Sequence, residues 1–204
     1  MKSKHLKTLG MAGALCLLGV TAFNAQAAGK DERGQLTAKD YKFVSEAANG
    51  GNLEVSLGQI AMEKSADKAV QDFGKQMVDD HKKINKELTD LAAKKGASVL
   101  VETSKSDQRL MDRLRGLSGA EFDRAYIDQM VSDHKKDVKE FQKQAKNATD
   151  TELQAFVSRN LPTVEEHLRK AETIQATISP RHTSTTPVTP STVPNTLPNE
   201  SRKF

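Results

Sequence analysis

Gln76-Met-Val-Asp-Asp-His-Lys-Lys-Ile-Asn-Lys-Glu-Leu88 recurs as Gln129-Met-Val-Ser-Asp-His-Lys-Lys-Asp-Val-Lys-Glu-Phe141, with nine of the thirteen positions identical. In both copies the apolar residues fall three and four apart, the period of a helix with one buried face. Upstream and downstream residues extend each stripe. The first runs through Val70, Phe73, Met77, Ile84, Leu88 and Leu91, the second through Phe122, Tyr126, Met130, Val138, Phe141 and Ala145. A third Val-x-acid-His, Val164-Glu-Glu-His167, lies on another such stripe made by Phe156, Val157, Leu161, Leu168, Ala171 and Ile174. Phe43, Ala47, Leu53, Leu57, Ile60 and Ala61 make a fourth, at the front of the chain.

Local signals set the ends of these helices. Thr37 or Asp40 is expected to cap the first, which closes near Ser65-Ala-Asp67, and the second ends at Lys94-Lys-Gly96 with basic residues and a glycine. Ser118 is read as the cap of the third, and Asp150 or Thr151 as that of the fourth. Pro162, inside the last helix, is expected to kink it or to open one backbone hydrogen bond. Residues 97–118 form a long connection with a short helix at Leu110, Leu114 and Leu117. Four long one-faced helices predict an all-α fold, a ferritin-like four-helix bundle with a long crossover between helices 2 and 3. An up-down-up-down bundle with an elaborate loop is the alternative. Gly50, Gly51 and Gly58 in the first helix each cost about 1 kcal/mol relative to alanine, which points to close backbone packing there, or to room for a ligand beside Glu54.

The histidines sit on the apolar stripes. His81 follows Met77 by four, His134 follows Met130 by four, and His167 follows Val164 by three, so all three imidazoles face inward. Glu54 holds the matching place on the first helix. All four stand near mid-helix, where residues meet at one level whichever way the helices run. Glu54, His81, His134 and His167 are therefore the candidate ligands of one divalent metal ion. A nitrogen-rich, sulfur-free set suits Zn²⁺, Fe²⁺, Mn²⁺ or Cu²⁺ without choosing among them. Asp80, Asp133 and Glu166, each one residue before a histidine, are expected to receive an imidazole N–H from a neighbouring helix. Valine stands three before every histidine, where a Glu-x-x-His di-iron ligand would be, so a standard di-iron centre is not expected. Two further readings fit the same residues: a structural network of His–carboxylate pairs, and a pH-responsive core.

The remaining sequence bounds the setting. Lys2, Lys4 and Lys7, the apolar run Leu9 to Phe23 and Ala25-Gln-Ala27 read as a signal peptide over residues 1–27. Its removal takes the single cysteine and leaves 28 basic against 27 acidic residues, which offers no basis for nucleic-acid binding. No transmembrane anchor is expected after cleavage. One domain is expected over residues 35–178, followed by a disordered Pro/Ser/Thr-rich tail over 179–204.

Five stretches together resemble the bacterial family called domain of unknown function 4142: Phe43-Val-Ser-Glu-Ala-Ala-Asn-Gly-Gly-Asn-Leu-Glu-Val-Ser-Leu-Gly58, Gln76 to His81, Ser118-Gly-Ala-Glu-Phe-Asp-Arg-Ala-Tyr126, Met130 to His134 and Asn160-Leu-Pro-Thr-Val-Glu-Glu-His167. The resemblance covers residues 40–175. It implies an exported, ferritin-like helical domain of the periplasm or outer membrane with no assigned reaction. The expected function is metal binding or envelope stress through the buried Glu/His centre, without catalysis. The alternatives are a structural or interaction module of the envelope and, from a third class, a metal-dependent oxidoreductase.

Overall fold

A computed structural model describes residues 35–178. Five helices follow in order: α1 (Ala38–Lys64), α2 (Lys68–Lys94), α3 (Lys105–Gly116), α4 (Gly119–Asn147) and α5 (Thr151–Ile178). No strand occurs among the described residues. The signal peptide and the tail expected at either end lie outside them.

Most caps are those the sequence announces. The Thr37 side chain accepts from the Asp40 N–H, and Asp67 accepts from Ala69 and Val70 at the start of α2. Asp150 accepts from the N–H groups of Glu152 and Leu153. α2 ends in a paired motif, with the Ala97 N–H on the Ala92 carbonyl, the Gly96 N–H on that of Ala93, and Gly96 at φ +71°. Ser104 and Asp107 form a capping box on α3 that the reading above lacks. Ser118 stands at the N-cap of α4 as expected, though without a side-chain cap hydrogen bond. α5 runs on through Pro162, leaving the Ser158 carbonyl without its amide donor.

Contacts between helix ends fix the directions. Asp40 at the start of α1 accepts from Gln144 at the end of α4, and Ser65 just after α1 bonds Asp123 at the start of α4. Lys94 at the end of α2 pairs with Glu152 at the start of α5, while Gln76 and Lys170 meet at the other end. Every neighbouring pair is thus antiparallel, in the order α1, α2, α5, α4 around the bundle. α2 and α4 consequently run the same way, and the segment carrying α3 returns the length of the bundle. That excludes the up-down-up-down alternative.

Two of the three glycines noted above are packing residues. A Cβ on Gly58 would stand 2.6 Å from the Gly74 carbonyl oxygen, and one on Gly51 2.3 Å from Asn85 Oδ1. Gly50 meets nothing within 4 Å.

The core is divided. One apolar cluster gathers Leu57, Ile60, Phe73, Met77, Phe122, Tyr126 and Met130; the other gathers Phe43, Val44, Ile84, Leu88, Phe141, Phe156 and Val164. Along each long helix the change from one cluster to the other falls at Glu54, His81, His134 or His167. A single polar layer separates two hydrophobic halves.

Candidate metal centre

α1 supplies Glu54, 2 % exposed, and α2, α4 and α5 supply His81, His134 and His167 at 5 %, 0 % and 0 %. The bundle brings all four together. Ring nitrogens of the three histidines lie within 4.8 Å of one another, and the rings stand 5.2–5.6 Å apart, centre to centre.

Each imidazole has one nitrogen turned to an oxygen outside the cluster. Nδ1 of His81 faces Glu54 Oε2 at 3.1 Å. Nδ1 of His134 lies 3.0 Å from the Met130 carbonyl, and Nε2 of His167 lies 2.8 Å from Asp80 Oδ2. The Met130 carbonyl accepts only, so His134 Nδ1 carries the proton, and the Asp80 carboxyl favours an N–H on His167 Nε2. The opposite nitrogens, His134 Nε2 and His167 Nδ1, are left with bare lone pairs. His81 Nε2 is buried with no partner among the described residues. His134 Nε2 and His167 Nδ1 face each other at 3.3 Å, where two lone pairs repel unless a proton or a cation lies between. For metal–nitrogen bonds of 2.0–2.1 Å, two ligands of a tetrahedral ion stand about 3.3 Å apart. The observed pair has that spacing.

Burial pushes all three imidazoles toward the neutral form. His81 is driven well below the usual histidine range by burial and then by His134 and His167. Burial likewise takes His134 down to about 4, with His167 adding and the Met130 hydrogen bond opposing. His167 is lowered by burial despite Asp80. Burial raises the Glu54 carboxyl well above its usual range, and the charges of Asp137 and Asp133 push the same way. Its Oε1 lies 3.3 Å from His134 Nδ1, whose N–H is spent on Met130, so Oε1 has no donor.

The acids before the histidines have three different surroundings. Asp80 reaches His167, with Gln76 as its second partner. Asp133 accepts from Gln129 and lies near Glu54. Glu166 is not brought to an imidazole bond; it pairs with Arg169 and Lys170 on the surface. Sequence reasoning missed Asp137, whose carboxyl stands against that of Glu54 and is raised to about 6 by burial and Asp133, with Lys136 opposing. The repeat carried the signal: Ile84 follows His81 by three, and an acid takes that place after His134. The Tyr126 hydroxyl has no hydrogen-bond partner among the described residues.

These histidine motifs fall inside a longer match. The family described as domain of unknown function (DUF4142) matches residues 25–174, more than half of the sequence. The chain belongs to that family. Comparison of this DUF4142 domain with curated proteins gives no match. Among solved structures it is similar to the crystal structure of a DUF305 fragment from Deinococcus radiodurans, at 14% identity and a TM-score of 0.62. The likeness covers 70% of this chain and 99% of that one, and it concerns the fold. No described helix of this DUF4142 domain is long and apolar enough to cross a membrane.

Proposed function

We propose that this DUF4142 chain is an exported, ferritin-like bundle that binds one divalent transition-metal ion through His81, His134 and His167. The observation that carries it is the convergence of three buried imidazoles, each with one ring nitrogen turned to an oxygen outside the cluster. That outer ring of acceptors is the usual support of metal-binding histidines. Glu54 enters here as the carboxylate behind His81 and His134 rather than as a fourth ligand. The single long connection carrying α3 supports the ferritin-like reading, and residues 1–27 support export to the periplasm. Three nitrogens and no sulfur favour Cu²⁺ or Zn²⁺ over Mn²⁺ in the general affinity order.

The alternative is a purely structural polar layer, favoured by the His134–His167–Asp80 chain of contacts, which one added proton would complete. Metal analysis separates the two. The untagged full chain, isolated from the periplasmic fraction, is expected to carry one equivalent of metal by mass spectrometry, and His167→Ala to carry almost none. Substoichiometric metal that neither Zn²⁺ nor Cu²⁺ restores would sink the metal reading.

A further inference from the structure

The three histidines and Glu54 are all buried, so an ion held by the imidazoles needs a way in. A cleft of about 750 Å³ opens between α1, α3 and α4, and Glu54 is the member of the polar layer that lines it. The Glu54 carboxyl in turn lies 3.1 Å from His81 Nδ1 and 3.3 Å from His134 Nδ1. From the cleft, two imidazoles are one carboxyl away.

Charge along the cleft is graded with depth. Its three cationic side chains, Arg109, Arg113 and Lys136, are all exposed. Its carboxyls begin beside them, at exposed Glu46 and Glu140, and continue inward through half-buried Asp107, Asp133 and Asp137 to buried Glu54. A passage whose charged lining becomes wholly acidic toward its floor draws cations and repels anions. The other side of the layer differs. There Asp80, its side chain 35 % exposed, holds His167 Nε2, and the Lys170 ammonium bonds the neighbouring Gln76. A cation arriving on that side meets a like charge.

We propose that this cleft is the entrance by which a divalent metal ion reaches the histidine centre, passing the Glu54 carboxyl on the way; the inference rests on the metal-binding reading above. The carboxyls line a path, and the imidazoles remain the resting place. Gly50 offers the means to block it. It lies on the cleft wall in α1, and a Cβ there would meet nothing within 4 Å. A phenylalanine at that position can stand in the cleft while the three imidazoles stay where they are.

Stopped-flow uptake of Zn²⁺ by the metal-free full chain, read with a chromophoric zinc indicator, tests this. Gly50→Phe should slow uptake and release alike by at least about tenfold and keep the equilibrium affinity within about twofold, while Gly50→Ala matches the wild type. Glu46→Lys combined with Glu140→Lys changes only exposed positions and so tests the route without altering the packing at residue 50. It should slow uptake severalfold, and Lys170→Ala should leave the rate unchanged. Uptake by Gly50→Phe at the wild-type rate would overturn the entrance and leave the histidine centre standing. So would uptake that Lys170→Ala speeds and the Glu46/Glu140 variant leaves alone, which would put the entrance beside Asp80. A wild type that takes up no Zn²⁺ would remove the centre and its entrance together.

Discussion

Replacing His81 by leucine separates a metal centre from a structural network. His81 Nε2 is buried without a partner, and its Nδ1 faces a carboxyl that burial already drives toward its neutral form. Leucine removes an unsatisfied buried nitrogen, a gain of about 1–3 kcal/mol, and gives up the Glu54 contact, a loss of similar size. The metal-free variant should therefore melt within about 1 kcal/mol of the wild type. A structural ion pair would instead cost about 3–5 kcal/mol when one partner is removed. Metal changes the comparison. At a free Zn²⁺ concentration one hundred times Kd, binding stabilises the folded wild type by about 2.7 kcal/mol. For a domain of this size that raises Tm by about 8–11 °C. His81→Leu should lose nearly all of that rise. Calorimetry or circular dichroism melts, with chelator and with Zn²⁺, read both quantities. A Zn²⁺ response that survives His81→Leu, or a wild type that does not respond, refutes the reasoning.

Other outcomes follow from the same structure. Gly58→Ala should destabilise by about 1–3 kcal/mol, since its Cβ meets the Gly74 carbonyl at 2.6 Å, whereas Gly50→Ala, with nothing within 4 Å, should stabilise by up to about 1 kcal/mol in urea titrations. Tyr126→Phe removes a buried hydroxyl that has no partner, so denaturant midpoints should stay level or rise. Asp40 accepts from Gln144, Thr149 and Asp150; burial raises its carboxyl, but its bonds with Thr149, Gln144 and Thr37 together hold it below its usual value. Its contribution is thus present above the unfolded value of 3.8 and lost as pH falls through the lower folded one. Asp40→Asn should cost about 1–3 kcal/mol at neutral pH and progressively less below pH ~4. Zinc binding requires neutral imidazole, and His134 is held down to about 4, so affinity measured by calorimetry should not fall off at the ordinary histidine value of 6.5. Loss of Zn²⁺ already at pH 6.5 would contradict the burial of the site.

The repeat at 76–88 and 129–141 carried two of the helices with His81 and His134, and the same apolar period carried the other two with His167 and Glu54. Helical period and rise decide facing and level without reference to any neighbour. Capping chemistry placed the helix ends as well, because it too is local, although Ser118 holds its N-cap position without a side-chain bond. The long segment at 97–118 left two topologies standing. End contacts such as Asp40–Gln144 and Lys94–Glu152 chose between them.

What the sequence determined by itself is a polar layer at mid-height, one residue from each long helix, between two apolar halves. Only the tertiary structure decided who serves whom within it. An acid one residue before a histidine points to the flank of its stripe, and which helix lies on that flank depends on chain direction and on neighbour order. α2 and α4 run the same way, so Asp80 leans to α5 and reaches His167, and Asp133 leans to the cleft beside α1. α5 runs oppositely, and Glu166 pairs with Arg169 and Lys170 on the surface. The same packing sets Glu54 behind the imidazoles, against Asp137, because two side chains at one level meet only once their helices have chosen a side.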